Sequence, residues 1–144
     1  MHIRQQAAQL LIPGGALVHF ICKRQRAVIM SLMAGEEGDW FAQKMLDLDA
    51  AIKLMPVTGA NAEVDTKDQV VHLHYFIGGI DSWITELDAS APEDDGDHHQ
   101  AYGAQRLNPG WDAEFGYISL PELLESNIEL DLHWTPKPWG EVRK

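Results

Sequence analysis

From Val70 to Asp88 the chain reads Val-Val-His-Leu-His-Tyr-Phe-Ile-Gly-Gly-Ile-Asp-Ser-Trp-Ile-Thr-Glu-Leu-Asp, and few folds can accommodate it. Up to Ile77 nearly every residue is β-branched, aromatic or aliphatic, and from Trp83 to Leu87 large apolar side chains alternate with polar ones. Gly78 and Gly79 between the two arms permit the positive φ angles of a tight reversal. The pattern predicts the central hairpin of a small sheet.

The rest of the sheet is read around that hairpin. Ala101 to Leu107 predicts a third strand, Asn108-Pro109-Gly110 a turn, and Trp111 to Ser119 a fourth strand. Ser119-Leu120-Pro121-Glu122 has capping-box spacing, which predicts a short helix over Glu122 to Ser126 closed by Asn127. Ile128, Leu130, Leu132 and Trp134 alternate with Glu129, Asp131 and His133, the pattern of a half-buried last strand. Upstream, Phe41, Met45, Leu48, Ile52 and Met55 make one helical stripe, with Asp39 as its cap and Pro56 as its stop. The expected fold is therefore α+β: one domain with an antiparallel sheet of about five strands, one main helix on one face and a short helix before the last strand. Trp139 to Lys144 reads as a tail.

Residues 1–35 stand apart from the remaining 36–144 because they contain no acidic group, while Lys23-Arg24-Gln25-Arg26 follows the apolar run Ala16 to Cys22. The run is short, and its charges follow rather than precede it, so a signal peptide is not indicated. Two readings stay open. Leu17 to Cys22 can pair with Ala27 to Met33 as two strands, or the start lies at Met30, Met33 or Met45, with a translated leader upstream.

The chain has a net charge of −11 and a single cysteine, Cys22. The negative charge opposes direct nucleic-acid binding, since neutralised phosphates supply most of that affinity. It suits instead a protein partner with a basic surface, or simply serves to keep the protein soluble. One cysteine gives neither an internal disulfide nor a zinc-site spacing, which points to the cytoplasm, and no apolar run reaches the roughly 18 residues of a membrane span. Serine nucleophile elbows, phosphate loops and dinucleotide fingerprints are absent from the sequence.

Several constellations could carry chemistry. His72 and His74 are two apart on a strand, hence on one face, and an adjacent strand could bring His133 as a further metal ligand, with Asp131 or Glu86 as base. Glu93, Asp94, Asp95 and Asp97 crowd a loop that does not follow the calcium-loop pattern and reads as a solvated interaction surface. Tyr75, Trp83, Tyr102, Trp111 and Trp134 could form a stacking platform for a ligand or single strand, and a binding module using Tyr75 and Trp83 requires those two rings to be exposed. Buried rings would remove that reading.

The motifs His74-Tyr75-Phe76, Asp81 to Glu86, Ala101-Tyr102-Gly103, Ala113 to Ser119 with Glu122-Leu123, and Glu129 to Trp134 occur in an order that resembles the small plasmid- and phage-borne bacterial proteins grouped as domain of unknown function 2958. The likeness covers roughly residues 45–136, with Ser82 interrupting a usual aromatic pair and a longer Glu93 to His99 loop. It implies a mobile-element setting and supplies neither an activity nor a catalytic residue. Together with the charge it leads to an expected function: a cytoplasmic, non-enzymatic accessory protein needing no cofactor, whose acidic face meets a host or element protein. In its sharper form it imitates DNA to occupy a nucleic-acid-binding protein. The alternatives are a small metal-dependent hydrolase and an aromatic-platform binding module.

Overall fold

The computed structural model describes residues 2–88 and 100–143. The hairpin forms as its residues dictate: after a two-residue strand Val70–Val71 (β1), Leu73–Ile77 (β2) turns into Ile80–Leu87 (β3), with Ile77 opposite Ile80. Gly78 takes φ +54° at the first of the two turn positions, a conformation side-chain-bearing residues rarely adopt. Gln100–Arg106 (β4), Glu114–Ser119 (β5) and Glu129–Leu130 (β6) complete an antiparallel sheet of order β5-β4-β3-β2-β6. Leu120–Glu125 (α4) precedes β6. Ser119 Oγ accepts from Glu122 N at 3.3 Å, and Asn127 closes the helix at φ +59°.

Residues 1–35 do not form a strand pair. They give a helix Ile3–Leu11 (α1), a 3₁₀ turn Ala16–His19 and a second helix Lys23–Met33 (α2). Ala7 and Leu11, and again Ile29 and Met33, fall four residues apart and are buried, the helical period of α1 and α2, while the apolar run between them forms the 3₁₀ turn and a short irregular stretch rather than a strand. The basic cluster is the first turn of α2 rather than a hairpin tip. Arg26 uses its Nε to donate to Ile21 O at 2.9 Å. Cys22, buried, caps α2 by accepting from Gln25 N at 3.4 Å.

The expected main helix runs Gly38–Lys53 (α3), with Met45 buried and Phe41, Leu48 and Ile52 packed beside it. Asp39 is not its cap. It lies in the first turn and pairs with Arg4 at 2.7 Å, and the Arg4 hydrogen bond holds its carboxyl below the usual aspartate value. One helix was expected over the sheet; three share the task. Buried side chains of α1, α2 and α3 join Leu73, Tyr75, Ile84, Ala101 and Ile118 from one face of the sheet in a single core, which therefore crosses the boundary expected near residue 35.

The last strand is shorter than its alternation predicts. Asp131 Oδ1 accepts from His133 N at 2.9 Å, a local side-chain turn that bends the chain away after Leu130. The tail is also more than a tail: Lys137–Pro138 (β7) pairs with β1, and Trp139 and Val142 pack with Trp83 and Phe115 on the second face of the sheet.

The two edges of the five-stranded sheet differ. At β6 the side-chain amide of Gln25 donates to Leu130 O and accepts from Leu130 N, both at 2.9 Å, as a neighbouring strand would. Along β5, no strand pairs with the outer edge among the described residues.

Candidate functional site

The face of the sheet turned away from α1 to α3 carries the ionisable and aromatic side chains. Cross-strand pairing aligns His74 with Trp83 and Asp81 with Arg106 on that face. Four ionisable groups follow in line: Arg106 Nη2 lies 2.8 Å from Asp81 Oδ2, Asp81 Oδ1 is 2.8 Å from His74 Nε2, and His74 Nδ1 is 3.1 Å from Asp131 Oδ2. Asp131 N also donates to His74 O at 2.8 Å. Rings of Phe76, Trp83 and Trp134 surround the imidazole with centroids 5.1–5.7 Å away. Burial alone would raise the Asp81 carboxyl, but the hydrogen bonds and charges of His74 and Arg106 outweigh it and hold the group below its usual value.

This network brings together His74 and Asp131, as the sequence suggested, but leaves out the other two histidines. His72 and His74 do not share a face. The ladder breaks between β1 and β2, so that Val71 packs with Trp83 while His72 lines a small groove with Lys44, Asp47 and Leu48 of α3. His133 faces the Trp40 ring at 5.6 Å. The carboxylates of Asp81 and Asp131 flank opposite nitrogens of one imidazole, and opposed ligands do not converge on one ion; no group of three metal-ligating side chains forms among the described residues.

Burial lowers the affinity of His72 for a proton below the ordinary 6.5. A histidine held neutral by the fold contributes stability that is complete above 6.5 and is lost as the pH falls from there through the depressed folded value. Urea midpoints at about pH 7.5 and about pH 5.5 will therefore differ more in the wild type than in His72→Gln; equal differences would show that His72 stays solvated.

Tyr75 and Trp83 are 0 % and 2 % exposed, so neither presents a stacking face. The Tyr75 hydroxyl donates to Phe20 O at 2.6 Å, joining the sheet to the chain just before α2, and burial raises its pKa. Glu93, Asp94, Asp95 and Asp97 lie outside the described residues.

Glu86 is buried, yet no strand alternation would have aimed it where it lies. Opposite β4 the register shifts at Thr85, so Ile84 faces Gly103 while Glu86 faces Tyr102. This bulge moves Glu86 from the helix-covered face to the other face. There its oxygens accept from Gly59 N at 3.2 Å and Asn61 N at 2.7 Å. Glu86 thus anchors the loop after α3 rather than meeting Asp131 or a histidine. A pocket of about 240 Å³ remains beside it, lined by Thr58, Gln69, Tyr102 and Tyr117.

At the β5 edge the sequence reading named Trp111 as a stacking candidate but did not bring it together with Leu107 and Tyr117. Leu107, Trp111 and Tyr117 are 57 %, 62 % and 72 % exposed and surround a groove of about 590 Å³ together with Asp112 and Glu114. Trp111, expected within the fourth strand, sits in the turn before β5. No helix among the described residues is long and apolar enough to cross a membrane. Set against family models, curated proteins and solved structures, the chain matches none of them.

Proposed function

We propose that this chain is an acidic, non-enzymatic interaction protein that receives a basic protein surface at the β5 edge. The observation that carries this reading is the combination of a strand edge left unpaired among the described residues with exposed Leu107, Trp111 and Tyr117 and with Asp112 and Glu114 in the same groove. Apolar anchors of that size supply binding energy, the acidic groups select a basic partner, and the edge can accept an added strand. The ionisable cluster around His74 supports the non-enzymatic half, because its groups are occupied with one another. The resemblance to domain of unknown function 2958 favours a plasmid or phage setting and a cytoplasmic place of action. In that setting the net charge of −11 favours the sharper version, in which the partner is a nucleic-acid-binding protein and this chain competes with DNA.

The test is affinity capture from a bacterial host with the wild type and a Leu107→Ala, Trp111→Ala double variant. A discrete partner should be captured at low salt, released by about 0.5 M salt, and retained about tenfold less by the variant. Release by added duplex DNA would support the DNA-competing form. Capture that ignores both salt and the two substitutions would overturn the proposal.

A further inference from the structure

The Glu86 pocket has a chemistry of its own. Glu86 is 3 % exposed, and no cationic side chain pairs with it among the described residues. Its two backbone donors, Gly59 N and Asn61 N, occupy only part of the roughly four acceptor positions of a carboxylate. A carboxylate this far from water ordinarily has a positive partner. Gln69 lines the same pocket. Because its Nε2 donates to the carbonyls of Asn61 and Val64, its orientation is fixed, and its Oε1 is a buried acceptor without a donor. The remaining wall is aromatic: Tyr102 and Tyr117 meet edge to face with centroids 5.5 Å apart.

Acceptors and π faces without a charged donor describe the complement of a cation. We infer that this pocket is a receptor for an alkylguanidinium or alkylammonium group, with Glu86 as its counter-charge and Tyr102 and Tyr117 as its cation–π wall. The bulge at Thr85 strengthens the assignment, since bulges recur where a strand must re-aim one side chain, and here the side chain re-aimed is the carboxylate. A volume of about 240 Å³ admits the end of a lysine or arginine side chain, or a small free amine, and excludes a nucleoside or a large cofactor. The inference goes beyond the β5-edge reading and does not depend on it, because a free amine would fill the pocket without any protein partner.

Nitrogen-15 spectra of the full chain, titrated at constant ionic strength with ethylguanidinium or butylammonium and with neutral ethylurea as control, test it. Saturable shifts of the Gly59 and Asn61 amides with the two cations, absent with ethylurea, are expected. Glu86→Gln should weaken binding at least about tenfold, and Tyr102→Leu about two- to fivefold. If Glu86→Gln fails to fold, Tyr102→Leu still decides. Shifts of equal size with ethylurea, no response at Gly59 and Asn61, or full affinity in Tyr102→Leu would overturn the assignment. Two further ligands separate the sources: tighter binding of a blocked arginine peptide than of putrescine supports a partner's side chain in the pocket, and the reverse supports a free amine.

Discussion

Trp83→Ala will destabilise the protein by about 3–5 kcal/mol, read from urea unfolding followed by far-ultraviolet circular dichroism. The residue is 2 % exposed in the third strand of a five-stranded sheet. On its own face it meets Trp139 at 5.3 Å, His74 at 5.7 Å and the Arg106 guanidinium at 5.4 Å. These neighbours come from the C-terminal segment, from β2 and from β4, so no single movement can fill the space an indole leaves. The cost is a large fraction of the roughly 5–15 kcal/mol that holds a domain together. The C-terminal segment should loosen first, because Trp139 and Val142 lose the surface they rest on. A loss below about 1 kcal/mol would show that this face is not a second core.

Asp81→Ala comes next, with an expected loss of about 2–4 kcal/mol at neutral pH, discounted from a fully buried pair because Asp81 and its partners retain 14–18 % exposure. The substitution leaves His74 Nε2 and Arg106 Nη2 without their acceptor, and Arg106 Nε is already buried without one. The pH dependence identifies the cause. The folded protein holds Asp81 below the usual 3.8, so its stabilisation is complete above that value and is withdrawn as the pH falls through the lower folded value. Wild type and variant should therefore differ most at neutral pH and converge in strong acid. A difference that is constant with pH would mean that packing, not charge, is what Asp81 supplies.

The parts of this structure legible in the sequence are those that local physics decides. Two glycines between apolar arms predicted the hairpin, the stripe through Met45 predicted α3, and Ser119 with Glu122 predicted α4. What escaped depended on breaks in a period. His72 and His74 were assigned one face by simple alternation, and the interruption between β1 and β2 separated them. The bulge at Thr85 moved Glu86 to the other face for the same reason. Alternation describes a strand only while its ladder is unbroken, and nothing in the side chains announces the break. The strand-pair reading of residues 1–35 failed differently: Leu17, Phe20 and Ile21 look like a strand, but they enter the core with Tyr75 from a 3₁₀ turn and the short irregular stretch after it, between two helices. Of the site, the contact between His74 and Asp131 followed from placing the last strand beside the hairpin. Asp81 and Arg106 join it through the pairing of β3 with β4, which is a property of the assembled sheet.

A signal for the Glu86 pocket was nevertheless present. Ala101-Tyr102-Gly103 and Gly116-Tyr117-Ile118 each set a tyrosine between small or aliphatic neighbours, and the two tyrosines are direct cross-strand partners. Gly103 matters on the opposite face, where a β-carbon would strike the Trp83 carbonyl. Close approach of β4 to β3 at the bulge therefore requires a glycine there, and the Ala-Tyr-Gly order supplies it beside the tyrosine that faces Glu86.

The unequal edges of the sheet set a limit on stoichiometry. Polymers built by strand addition need two reactive ends on every subunit, one to join the growing chain and one to extend it. Gln25 occupies the end at β6, leaving β5 as the open end of the five-stranded sheet among the described residues. Through that sheet such a subunit can couple once: it can terminate a fibre built by strand addition there but cannot propagate one.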